Sequence, residues 1–181
     1  MNSLKKLILP MLAVTLFFAS CKDDDPVTTP TLYDELGGTA MVSDPNNAGT
    51  QIEKGRLGIR SVVDSTIFII AGDSRLTKFF PVLLSEVGAG NLSGFAVLSK
   101  NLTDFISIGA GAKNYTYNGK NMKDAHDPAK NSRMALKAAN VDMDAFIDDV
   151  VKGAKKVGVP DAQIAKVGVV LESLRADIVQ Q

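Results

Sequence analysis

The 181-residue sequence predicts an all-α fold, and three observations carry that expectation. Apolar residues recur at spacings of three and four through residues 92–106, 143–157 and 164–178, which is the period of one helix face. No series alternates apolar with polar long enough for a half-buried strand, and no internal repeat is present. Glycine-containing breaks, Gly109-Ala110-Gly111 and Gly158-Val159-Pro160, stand where one helix should stop and another start.

The amino terminus reads as a targeting segment over residues 1–20. Lys5 and Lys6 precede an apolar run from Leu7 to Ala19, too short to span a bilayer and of the length of a secretory h-region. The run ends Phe18-Ala19-Ser20-Cys21, which resembles the lipobox of bacterial lipoproteins and implies lipidation of Cys21. Residues 21–30 form a polar, Pro/Thr-rich tether unable to bury a core. Its Lys22-Asp23-Asp24-Asp25 resembles the signal that sends Bacteroidetes lipoproteins to the cell surface. The implied location is an outer-membrane lipoprotein, cell-surface exposed or periplasm-facing, with the membrane as a partner through its anchor. A domain over residues 31–181 follows, and with Cys21 the only cysteine its fold has no disulfide.

Within that domain, Thr31 is a candidate N-cap for a short helix stopped by Gly37-Gly38. Residues 39–57 read as a loop through Ser43-Asp44-Pro45-Asn46-Asn47. Leu57 to Ile70 carries a helical stripe, although its β-branched residues equally allow a strand. Residues 81–91, with Gly88, Gly90 and Asn91, read as a second loop. The Leu92–Ile106 run then predicts an amphipathic helix. Asp127-Pro128 disfavours helix at Asp127, so any helix ending at His126 is short. Met143 to Val157 forms one helix capped by Asp142 or Asp144, and Ile164 to Ile178 another.

Hydrophobic residues make up 45% and charged residues 22%, ordinary for one globular domain. A formal net charge of zero supplies no field for nucleic acid. No glycine-rich phosphate loop or EF-hand spacing occurs, and one histidine leaves little for a Ser-His-Asp arrangement.

That histidine, His126, cannot build a zinc site from partners of its own kind, but it suffices where one axial nitrogen holds an iron. Its setting, Tyr117-x-Gly119-x-x-Met122-x-x-Ala125-His126, resembles the entry to the proximal helix of truncated haemoglobins of the group 1, protozoan-cyanobacterial type. Leu32-Tyr33-Asp34-x-Leu36-Gly37-Gly38, Ser74-x-Leu76-x-x-Phe79-Phe80, Gly158-Val159-Pro160 and Arg175-Ala176-Asp177-Ile178-Val179 resemble other segments of that family in the same order. The resemblance spans residues 31–179 and implies a two-over-two helical sandwich, with loop insertions at 39–57 and 81–91.

It further implies haem b, held through its iron by His126 as proximal ligand, and a diatomic ligand (O2, NO or CO). Phe80, Phe105, Ile108, Met122 and Ile67 are the implied walls. Ile67 takes the place where the family commonly carries a distal tyrosine, with Thr66 just before it. The second distal donor falls at Lys100 or Asn101. Without the phenol, oxygen retention should be weaker. NO dioxygenation would need an external reductant. Two other readings remain, a surface haem-capture lipoprotein and a haem-free globin-fold interaction module.

Overall fold

The computed structural model describes residues 29–181, so the targeting segment, Cys21 and most of the tether lie outside the described residues. Thr31 opens α1 (Leu32–Glu35) with a reciprocal cap, its Oγ1 accepting from Asp34 N while the Asp34 carboxylate accepts from Thr31 N. Gly37 and Gly38 follow at φ 121° and 56°, a reversal few side chains tolerate.

The expected loop at 39–57 is instead a small antiparallel hairpin, β1 (Met41–Ser43) and β2 (Gln51–Glu53), with Val42 opposite Ile52. Three-residue strands are too short to display a period of two. The connecting turn folds around the Asp44 carboxylate, which accepts from Asn46 N, Asn47 Nδ2 and Arg60 Nη1 and Nη2. The helix α2 (Lys54–Ile70) starts directly from β2, and the strand alternative for that stretch is excluded.

The second expected loop is also corrected. Pro81 begins α3 (Pro81–Gly88), a position where its fixed φ and missing N–H cost nothing, and Gly90 at φ 77° reverses the chain afterwards. A 3₁₀ turn, Thr77–Phe79, precedes it. Then come α4 (Ser93–Gly109), α5 (Met122–Ala125), α6 (Asn140–Lys156) and α7 (Asp161–Glu172). The apolar stripe expected as one last helix to Ile178 breaks at Ser173, and a final turn, α8 (Arg175–Ile178), carries its end. Neither Asp142 nor Asp144 is the N-cap of α6. Ala139 occupies that position, and Asp142, three residues in, accepts from Ala139 N at 2.9 Å.

Helix α2 packs against both α4 and α6, and α6 against α7, which makes two layers of two long helices. The α2–α6 crossing is close because Gly153 lies on the backbone of Thr66, where a Cβ would approach Thr66 N to 3.0 Å. Two apolar clusters result. One, around Met143, Val150, Ala154, Val167 and Leu171, fills the space between α6 and α7. The other, around Tyr33, Ile59, Val63 and Ile106, lies between α2 and α4. Burying such surface is the main stabilising term of the fold. Among the described residues no helix is long and apolar enough to cross a membrane.

Candidate functional site

Between the two layers lies a cavity of about 530 Å³. Its walls come from the end of α2 (Ile67, Ile70), from Phe79, Phe80 and Leu83, from the outward turns of α4, and from Met143, Phe146 and Leu171 on the other layer. The lining is mostly apolar, and its polar side chains include His126 beside α5, Asn101 on α4, and Lys120, Asn131, Arg133 and Asp142.

Local sequence sets that histidine. Asn121 caps α5, its Oδ1 accepting from Asp124 N at 2.8 Å, and Asp127-Pro128 stops the helix one residue after His126. The ring therefore sits at a helix end. Its Nδ1 lies 2.8 Å from Met122 O. A carbonyl only accepts, so Nδ1 carries the proton of the neutral ring and Nε2 presents a lone pair. Nε2 makes no hydrogen bond among the described residues. Burial pushes the imidazole below its ordinary pKa of 6.5, against the opposing pull of the Met122 carbonyl. The result is a neutral, oriented nitrogen base in an apolar wall, the state in which imidazole binds a metal.

The loop that delivers α5 is anchored across the same space. Tyr117 meets Phe105 edge-to-face at 5.4 Å, and its hydroxyl donates to Lys120 O at 2.6 Å. On the far side of His126, the Asn131 side chain donates to Ala125 O at 2.7 Å. Ala135 N donates to Phe79 O, tying the 127–139 link to the opposite wall.

Of the residues singled out from sequence, Ile67, Phe80, Phe105, Met122 and His126 all line this cavity. Ile108 does not: it is 39% exposed, because three residues beyond Phe105 the α4 surface has rotated toward solvent. Thr66 faces α6, its hydroxyl donating to Val62 O. Of the two distal candidates, Asn101 lines the cavity, whereas Lys100 turns outward to pair with Asp104 at 2.7 Å. Arg133, Met134, Met143 and Phe146 are wall residues that sequence reasoning missed. The helical stripe of α6 marked two of them as apolar without saying whether they meet a helix or a void. Arg133 carried no signal.

No protein-family model matches this chain. A group 1 truncated haemoglobin from Tetrahymena pyriformis is 34% identical over 80 residues, 44% of this chain. The matched stretch spans 60% of that relative's length. Crystal structures of truncated haemoglobin from Tetrahymena pyriformis, in the Fe(III) form and as a single-residue variant, superpose with a TM-score of 0.57 at 23% identity. They cover 84% of this chain and 100% of theirs. The fold is that of truncated haemoglobins.

Proposed function

We propose that this chain is a haem-binding truncated haemoglobin, in which His126 holds the iron of haem b from the proximal side and a diatomic gas binds opposite. The single observation that carries the reading is His126 itself, a neutral imidazole with Nδ1 fixed by Met122 O and Nε2 unbonded on the wall of an apolar cavity. The residues fit the group: haem needs one axial nitrogen and a mostly apolar slot, which His126 and this cavity would supply. Fixing Nδ1 by a carbonyl orients the ring and raises its basicity toward a metal. Phe80, Phe105, Ile67 and Met122 would exclude water around the macrocycle. When bound, haem supplies the reversible binding of O2, NO or CO.

The gas side is poor in donors. The Tyr117 hydroxyl is committed to Lys120 O, and Ile67 and Thr66 offer nothing there; of the two sequence-predicted distal positions Asn101 is the one that lines the cavity, and it would be the donor. A hydrogen bond to bound oxygen is worth on the order of 1–3 kcal/mol. A chain relying on one amide should therefore release oxygen faster than tyrosine-bearing members, and a slow dissociation rate would count against this assignment. NO dioxygenation is retained as an activity only with an external reductant.

Titration of the domain with haemin, followed by the Soret band, tests the reading. A one-to-one band that shifts on reduction and CO, and is lost in His126→Ala, is expected. A band indifferent to His126 would return the protein to the class of haem-free interaction modules. A surface haem-capture role is distinguished by rapid transfer of haem to an apo-acceptor. We also hold that Cys21 carries a lipid anchor at the outer membrane, supported by the apolar run and small residues before it. Palmitate labelling that survives Cys21→Ala would refute it.

A further inference from the structure

The α3 region, one of the two stretches the resemblance marks as an insertion, meets the long link over residues 127–139 between α5 and α6. Glu86 on α3 and Arg133 in the link form a paired contact, Nη1 to Oε1 at 2.9 Å and Nη2 to Oε2 at 2.5 Å. The fork-to-fork arrangement is the strongest geometry open to an ion pair. The pair lies directly on Gly94 in the first turn of α4, where a Cβ would collide with both Glu86 Oε2 and Arg133 Nη2. It also lies at the opening of the cavity: Ser93, Val97, Lys120 and Arg133 are the wall residues that reach solvent. One partner belongs to the wall built from α3 and α4, the other to the wall that carries His126.

We propose that the Glu86–Arg133 pair is a latch that sets how fast a large ligand enters and leaves the cavity, without setting how tightly it is held. The inference rests on the haem reading for its natural ligand, though not for its geometry. Both walls are built independently of the pair: α3 has its own helical bonds, and the link keeps the bond from Ala135 N to Phe79 O. Loss of the pair therefore lowers the barrier in both directions. The side chains are 24% and 45% exposed, so the pair is sensitive to salt. Losing a well-aligned exposed pair should change exchange rates by a factor of up to about 5.

The test is stopped-flow haemin association and haem transfer to apomyoglobin, with wild type, Glu86→Gln, Arg133→Gln and the charge-swapped double variant E86R/R133E. Glu86→Gln, whose side chain is not part of the cavity lining, should load and release haemin up to about 5-fold faster than wild type with an unchanged dissociation constant; Arg133→Gln should speed exchange likewise, and the swapped pair should restore slow exchange. Added salt should speed wild type and leave Glu86→Gln unmoved. Unchanged rates in Glu86→Gln, or a rate change matched by a change in affinity, would overturn the latch. A wild type with no Soret band would fail the haem reading instead. The latch is then judged with the apolar fluorophore anilinonaphthalene sulfonate, and equal exchange in wild type and Glu86→Gln would overturn it.

Discussion

The two ends of α2 are built on different principles. At its start, polar groups hold everything in place. The buried Tyr33 hydroxyl donates to Glu53 Oε2 at 2.6 Å, Asn114 donates to Glu53 Oε1, and Arg56 lies over the Tyr115 ring while reaching Asp104. Arg60 clamps the hairpin through Asp44. At its other end, Ile67 and Ile70 face a cavity whose walls touch across empty space and are tied by a few contacts at the rim. One end is held by polar contacts among distant segments, and the other by apolar packing around a cavity. Hydrogen bonds and ion pairs between distant segments rigidify a fold by themselves, whereas walls facing a cavity make fewer dispersion contacts than a filled core.

The largest test of that contrast is His126→Ala, which should abolish the one-to-one Soret band while leaving circular dichroism of the helices unchanged. Next, haem at about 100 times its dissociation constant should stabilise the domain by about 2.7 kcal/mol. That corresponds to a rise in melting temperature on the order of 5–10 °C, read by calorimetry, with amide-exchange protection gained around the cavity and not around β1–β2. Tyr33→Phe should do the reverse. Removing a buried bond to a carboxylate costs about 1.5–3 kcal/mol, visible as a lower melting temperature, with an unaltered haem spectrum. A shift of the Soret band in Tyr33→Phe would show that the two ends are coupled.

The smallest effect is in acid. The Arg60 guanidinium, with Asn47 and Asn46, holds the Asp44 carboxyl well below its ordinary value of 3.8. A depressed carboxyl contributes stability above its unfolded value and loses it as pH falls through the folded one. The hairpin should therefore keep its protection down to about pH 4 and lose it below. The imidazole of His126 is also depressed, so the haem-free cavity end should begin to weaken at a higher pH, as it falls below 6.5. Amide exchange across pH 7 to 3 resolves the two; simultaneous loss would erase the distinction between the ends.

Much of this was legible in the chain itself. The helices that became α4 and α6 and most of α7 follow from apolar spacing, because a 17-residue helix displays several turns of its period. Gly37, Gly38 and Gly158 marked stops that the backbone honours with positive φ. Beside them, the segments around Thr31, Phe80, His126 and Gly158 pointed to the truncated-haemoglobin fold that the solved structures match. The three-residue strands and the eight-residue α3 were missed for want of length, although Pro81 before a run of Val and Leu was a start signal. Periodicity said that Phe105 and Ile108 share a helix. It did not say which one meets the cavity, since that depends on where Tyr117 and the opposite layer stand.

The sequence alone determined α4, α6 and the start of α7, the breaks at Gly37-Gly38 and Gly158, and the presence of one histidine beside a helix stop, because these follow from local propensity and spacing within a few residues. Only the tertiary structure decided that Nδ1 of His126 is held while Nε2 is not, that Asn101 lines the cavity and Lys100 does not, and that Glu86 finds Arg133. Those are contacts between distant segments, or choices of a few tens of degrees around a helix, and they are settled by packing rather than by any residue's own preference.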